Sequence, residues 1–416
     1  MSLASRAAPA VVALACAGPC AAVDASGYLR PEYIEQTATG RGPLAAANGL
    51  VPGIVSLPRS GPEIDAELRA TADGVTGVAS LQATRQEGDR LRDRGRFDEL
   101  YWSGDRGEWH FSAGKKIVAW DVGYAFRPND VVEQEPRRLL LDTTPEGRPL
   151  LIAERFDART AWSFVLVNPT HALSTRGAGE PAIAVRAYRH DGAVDWHGVA
   201  RAGAHSGASV GAATAWVASE SIEVHASARY LNAGDTLALD SAATAAAPAG
   251  LVGRDPWSAA AVRHAAQALV GGTWTSAEQV SLLAEAWWDG TALADGRWHD
   301  WNARNVQLAA LIGGHAPVSA VAGNLAWQGN AFNASTSLRR ANLYARASWQ
   351  DDKWQPAVDI VFTPADAGRI VTASVGWQGD RARFDGGVRF YGGPSTAVLA
   401  QLPTRRIAYV AGTWSF

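Results

Sequence analysis

Nine histidines are present, and the company some of them keep invites a chemical reading. His190 and His197 flank Asp195, His205 follows, and His225 stands two residues after Glu223. Imidazole beside carboxylate is the material of a metal site or a general base. No spacing here matches a recognised metal motif, and the plainer reading is of histidines hydrogen-bonded to charged neighbours. Gly207-Ala208-Ser209-Val210-Gly211 has the outline of a nucleophile elbow. Such an elbow needs a strand before the serine and a helix after it, whereas here a loop leads into a strand. In a chain so rich in Gly, Ala and Ser the match is read as chance. Gly271-Gly272 precedes a strand-like Thr273-Trp274 and so reads as a strand bend, because a phosphate loop would need a following helix. Asn168-Pro169-Thr170 contains the proline that blocks glycosylation. What remains is charge. Lys115, Lys116, Arg127, Arg137 and Arg138 gather in one stretch that also holds Glu133 and Glu135.

The elements that must position these groups are strands, since the chain alternates apolar and polar residues with period two. Hairpins are read at Glu63–Ala70 with Val75–Arg85, Arg96–Ser103 with Glu108–Lys116, and Leu150–Phe156 with Thr160–Val167. They continue at Ala182–His190 with Ala193–Arg201, Ala208–Val217 with Ser221–Leu231, and Val262–Trp274 with Gln279–Trp288. The last two are Ala341–Trp349 with Trp354–Phe362, and Arg369–Trp377 with Arg381–Tyr391. Short polar turns such as Asp73-Gly74, Gly104–Gly107 and Asp191-Gly192 join the partners. Longer connections, Ile117–Pro149, Asn232–Ala261 and Asp289–Arg340, separate the hairpins. Adding a first strand near Tyr28–Thr37 and a last at Ile407–Phe416 gives about 18 strands, with about 16 as the alternative. Ser258–Ala268 reads equally as a short helix or an extended strand, and Pro317–Phe332 as a helix able to act as a lid.

Aromatics cluster beside the short turns: Tyr101, Trp102 and Trp109, then Phe156 and Trp162, Trp196, Trp274, Trp349 and Trp354, Trp377 and Phe384, Trp414 and Phe416. Amphipathic rings beside most of the turns form a girdle at a membrane edge, whereas a soluble sandwich concentrates them mid-strand. Facing follows from the alternation. Ile222, Val224, Ala226, Ala228 and Tyr230 oppose Glu223, His225, Ser227 and Arg229; Phe384, Gly386, Val388 and Phe390 oppose Arg383, Asp385, Gly387 and Arg389. A charge facing lipid at the midplane costs about 2–4 kcal/mol, so the polar sides point inward. About 18 strands enclose more space than side chains fill, and the interior is polar and wet.

At the start, Met1–Arg6 carries one basic residue, Ala7–Ala17 is apolar, and Gly18–Ala22 is small. This is the layout of a signal peptide spanning residues 1–22, cleaved after Ala22 or alternatively Ala25. Cys16 and Cys20 would leave with it, so residues 23–416 hold no thiol or disulfide. Lipid attachment at Cys16 fits poorly, with Ala13 rather than Leu three residues before. No later stretch approaches the roughly 20 apolar residues of a helical span. With 47% hydrophobic residues, 17 Trp, 42 Gly and one Met, the composition suits many short strands. The net charge of −3 points away from nucleic acid.

At the other end, Ala408, Val410, Gly412, Trp414 and Phe416 share one face of a strand that stops on the terminal carboxylate. This resembles the C-terminal signature of Gram-negative outer-membrane β-barrels, and the resemblance implies that Phe416 is recognised by the barrel assembly machinery. The stretch Phe111–Val132, with Lys115-Lys116 leading to Trp120 and Asn129-Asp130, is similar to alginate-export-type barrels. That second resemblance implies that Lys115, Lys116, Arg127, Arg137 and Arg138 form a constriction selecting an anionic or polyhydroxylated solute. The competing reading is an outer loop with solvated charges.

The expectation is therefore an all-β protein. It is a transmembrane antiparallel up-and-down barrel, one domain over residues 23–416, with short periplasmic turns and long outer loops. It sits in outer-membrane lipid and lipopolysaccharide. It passes a small hydrophilic solute, with an anionic saccharide or exopolysaccharide, imported or exported, as the finer expectation, and with no cofactor, metal or catalytic residue. Arg229, Arg383 and Arg389 join the path residues, interleaved with inward carboxylates. Val23–Pro62 is too short for the plug of an energised transporter. The rivals are a barrel enzyme acting on lipid or glycan, and a closed structural or assembly barrel.

Overall fold

A computed structural model describes residues 23–86, 88–132, 140–141, 144–169 and 179–416. The strands follow in chain order: β1 (Asp24–Ala38), β2 (Gly61–Ala72), β3 (Val75–Thr84), β4 (Arg92–Arg106), β5 (Trp109–Lys116) and β6 (Arg148–Phe156). Next come β7 (Thr160–Val167), β8 (Ala182–Asp191), β9 (Val194–Gly203), β10 (Gly207–Ser219), β11 (Ile222–Leu239) and β12 (Trp257–Thr275). The remainder are β13 (Val280–Asp289), β14 (Ala341–Trp349), β15 (Trp354–Thr363), β16 (Gly368–Gln378), β17 (Ala382–Gly392) and β18 (Thr404–Ser415). Each pairs antiparallel with its chain neighbours, and β1 pairs with both β2 and β18, so the 18-stranded sheet closes on itself. Closure leaves no edge strand with unpaired backbone groups.

The turns follow from local chemistry. Asp73 and Gly74 both take positive φ, 49° and 79°, in the two-residue turn that matches the twist of β2 and β3. Arg106 pairs with Trp109, so the turn between β4 and β5 is Gly107-Glu108, later than the expected Gly104–Gly107. The long connection expected at Asn232–Ala261 shrinks to residues 240–256, because β11 and β12 stay paired from Ile222–Trp274 up to Leu239–Trp257. Ser258–Ala268 is accordingly strand: pairing with β11 satisfies its backbone, which alanine content alone does not decide.

The exterior is apolar. Ile64, Leu68, Leu100, Leu151, Phe164, Val270, Val358 and Val410 are exposed on it, and Trp102, Trp162, Trp196, Trp216, Trp274, Trp349, Trp354 and Trp414 ring the end that carries the short turns. Such a surface is stable against hydrocarbon with indoles at the headgroup level. No helix among the described residues is long and apolar enough to cross a membrane; the strands do so. Tyr101 departs from the expected girdle, since it faces inward beneath the Lys116 ammonium, 4.8 Å from its ring centre, and Phe156 shares the inward parity of Leu150 and Ile152 on β6. The start of β1 and the end of β18 lie at this end. Gly27 and Phe416 exchange backbone hydrogen bonds of 3.0 Å, and the Phe416 side chain is on the outer face.

The opposite end carries helices α1 (Gly42–Leu50), α2 (Ser241–Ala246), α3 (Asp295–Ala310) and α4 (Val318–Trp327). The sequence pattern showed α4 and missed α3, whose mean character is polar. Trp298, Trp301 and Leu308 fall on its buried face. They pack with Phe332 and Val398, and with Ala47, Val321 and Leu325 of α1 and α4. The two indole N–H groups donate to the backbone oxygens of Leu338 and Gln328, at 2.8 and 2.9 Å.

Candidate functional site

Inside the ring the alternation delivers charge. Arg30 donates to Asp65 at 2.9 Å, Arg383 to Asp385 at 2.8 Å, and Arg346 lies 3.9 Å from Asp359. Arg389 donates to the Thr372 hydroxyl at 2.9 Å. A polar cavity of about 600 Å³ lies among Tyr28, Arg30, Arg346, Gln355, Arg383 and Tyr409. Tyr124 and Leu140 of the segment between β5 and β6 close its other side. The sequence reading placed Arg383 here but passed over Arg30, Tyr28 and Tyr409. Their signal was available: residues 28, 30 and 32 alternate with Leu29 and Tyr33, which are exposed on the outer face.

Of that segment, residues 117–132, 140–141 and 144–147 are described, and residues 117–132 run inside the barrel. Val118, Trp120, Val131 and Val132 pack on Leu150, Ile152, Val165, Val167, Ala182, Ala184 and Val199 of β6–β9. Here the wall is apolar on both faces, inner for the segment and outer for lipid, which is why β6 and β7 read as continuous apolar runs. Farther round, Asn129 donates to the Ala212 oxygen and the Ser227 hydroxyl, both at 2.9 Å, and Arg229 donates to the Pro128 oxygen at 3.1 Å. Beyond that, Phe126 stacks on Trp287 and Tyr124 on Tyr344, at 5.9 and 5.7 Å between ring centres. The segment therefore follows the inner wall from β6 to β14 and narrows the lumen.

Its fold is locked by two aspartates. Asp130 accepts the N–H groups of Trp120 and Asp121 at 2.8 and 2.9 Å, and Asp121 accepts from Asn129 N–H at 2.5 Å and Ser227 Oγ at 2.9 Å. Burial pushes the Asp130 carboxyl up to about 6, with Arg127 opposing, and raises Asp121 for the same reason.

The sequence-predicted path residues divide. Lys116 lies inward, 3.1 Å from the Ser112 hydroxyl. Lys115 is held at the upper rim by Glu146, at 2.6 Å, and by the Phe97 oxygen. Arg127 turns back on its own segment, donating to the Gly123 oxygen at 2.6 Å, with Asp130 3.7 Å away. Arg229 sits between the segment and Ser209. Arg383 lines the cavity, and Arg389 stands higher on β17. Arg137 and Arg138, with Glu133 and Glu135, lie outside the described residues. Of the histidines, His190 meets Asp195 at 2.8 Å, and His197 lies 3.3 Å from Arg186. His205 donates its backbone N–H to Glu180, and His225 sits apart on β11. Strand pairing does not bring the four together. Ser209, in the elbow-like sequence, lies near the start of β10 with no helix after it and accepts from Arg229 at 3.0 Å.

A closed 18-stranded ring, an apolar outside, a charged inside and an inward segment between β5 and β6 decide the architecture. This is a porin-like barrel. OccAB1 of Acinetobacter baumannii superposes on 95% of this chain and 96% of its own, at 10% identity and a TM-score of 0.54. A variant of Rh. blastica porin aligns over 95% of this chain and all of its own, at 11% identity and a TM-score of 0.45. At these identities the porin-like barrel is a likeness of fold. No family model and no curated protein matches the sequence.

Proposed function

We propose that the chain is an outer-membrane channel that passes small hydrophilic solutes through a lumen narrowed by the inward segment at residues 117–132. One observation carries the reading: the wall is lipid-compatible outside, and a cavity lined by polar side chains lies between the inward segment and Arg30, Arg346 and Arg383. Interior volume of this size is costly to enclose unless water and solute occupy it. The signal-peptide layout of residues 1–22 and the terminal aromatic strand support delivery to the outer membrane and assembly there. Lipid and lipopolysaccharide surround the exposed belt.

The finer reading concerns the solute. Guanidinium groups with Tyr28, Tyr124 and Tyr409 around one cavity favour an anionic or polyhydroxylated molecule, a saccharide acid being of that class. Selectivity then comes from charge and aperture, and passage requires no reaction. Planar-bilayer recording on the purified, heat-modifiable protein tests the channel: discrete ohmic steps are expected, and a silent folded barrel would favour a structural role. Substrate-blocked current with uronic acids against neutral sugars tests the finer reading.

A further inference from the structure

The tip of the inward segment is held by a carboxylate and an imidazole that face one another across a glycine. The Tyr124 and Ala125 N–H groups donate to the two Glu285 oxygens, each at 2.6 Å. The same carboxylate meets His225 Nε2 at 2.9 Å, while His225 Nδ1 lies 3.1 Å from Glu223. Both His225 and Glu285 are 3% exposed. Gly271 on β12 leaves the room: a Cβ there would stand 2.6 Å from His225 Nε2 and 2.6 Å from Glu285 Cγ. A neutral imidazole has one N–H, and this one faces a carboxylate on each side, so only the imidazolium donates to both.

We infer that His225 and Glu285 form a protonation-dependent latch on the tip of the inward segment, opened when His225 loses its second proton. With the imidazolium in place, Glu285 is charge-compensated and free to accept two backbone N–H groups. With neutral imidazole, one ring nitrogen presents a lone pair to a carboxylate at about hydrogen-bond distance, and the pair separates. Glu285 then turns from the tip, and Tyr124 moves in the cavity beside Arg346 and Arg383. The charged and titratable groups around the latch are few. On β11 they are Glu223 and, farther up, Arg229; on β13, Glu285 itself. The segment brings Asp121, Tyr124, Arg127 and Asp130, and β14 brings Tyr344 and Arg346. The inward β12 neighbours, Gln267, Gly271 and Thr273, carry no charge. Asp121 and Asp130 also change charge with pH, and His225→Gln, which leaves both in place, separates their contribution from that of the histidine.

The latch is a regulation of the proposed channel and rests on that reading, yet its movement is measurable without current. A nitroxide on a cysteine at position 122, in the folded protein, reports tip mobility by electron paramagnetic resonance. Wild type is expected to be immobilised near about pH 6 and roughly five- to tenfold more mobile-populated near about pH 9, the difference between a charge-assisted and a neutral hydrogen bond. His225→Gln, which keeps a donor but never carries charge, is expected to be mobile and to lose the change above about pH 7, where Asp130 is already ionised. Glu285→Gln supplies a second variant with the same expectation should the first fold poorly, heat-modifiability being the check. A His225→Gln spectrum as immobile as wild type near pH 6, or a profile shared by both proteins, overturns the latch. Bilayer closures that follow the same profile support the channel as well. A pH-dependent spectrum with no current retains the latch and removes the channel.

Discussion

Arg383 on β17 and Arg30 on β1 face the same cavity, although they stand at opposite ends of the chain and are brought together only by closure of β18 onto β1. Each is matched to a carboxylate of its own, Asp385 and Asp65. The lumen therefore presents guanidinium donors fixed in place by acids rather than a uniform positive field, and selection at this point is by geometry and local charge.

Charge reversal separates the two basic groups named in the sequence and structure. Arg30→Glu with Arg383→Glu is expected to move the reversal potential toward cations under a salt gradient. Lys115→Glu with Lys116→Glu and Arg127→Glu should move it less, because Lys115 is spent on Glu146 and Arg127 on its own segment. A larger shift in the second variant would put the constriction at the rim.

Facing on β17 is open to chemistry. Cysteines at 383 and 389 should react with small water-soluble thiol reagents, and those at 384 and 388 should not. The reverse pattern would mean a register displaced by one residue, which turns every side chain to the other face.

Loss of Phe416, or Phe416→Asp, should lower the amount of heat-modifiable barrel in the membrane fraction. The ring is 61% exposed at the seam, where the last residue is bonded to Gly27. Full yield of the variant would remove Phe416 from assembly.

Asn129→Ala deletes two hydrogen bonds to the β10–β11 wall, one of them buried, and should loosen the segment by about 1–3 kcal/mol. Trp120→Ala should cost about 3–5 kcal/mol through the cavity left against β6–β9. Limited proteolysis between residues 117 and 132 should accelerate in both while the strands remain protected. Equal cleavage in wild type would show a segment not docked in solution.

The acid side has its own sign. Asp130 titrates near about 6 when the segment is docked, against 3.8 ordinarily, because burial disfavours its charge. The docked form thus holds a proton that the released form gives up. Its contribution to docking is complete below about pH 4 and fades as pH rises through about 6. Asp130→Asn keeps the acceptor for Trp120 and Asp121 and should abolish this dependence, as read by the mobility of a label at position 122. A slope unchanged in the variant would assign the titration elsewhere, Asp121 first.

Strand number, hairpin pairing, facing and the aromatic girdle were all legible from alternation and turn residues, because each is set by neighbours along the chain or across one tight turn. Phe384 and Arg383, or Val224 and His225, announce their sides by parity alone. The inward course of residues 117–132 was legible only as an inference from the length of the connection and its apolar content. What tertiary structure decided is the set of contacts made around the ring: Asn129 with β10 and β11, Phe126 with Trp287, Glu285 with the tip, and Arg30 beside Arg383. None of these partners is related by a period or a turn. They meet because a sheet of fixed twist closes at a particular strand, and that closure sets which inward residues share the enclosed space. The same holds for Arg127, whose charge the sequence shows but whose return onto Gly123 depends on a segment folded against a wall.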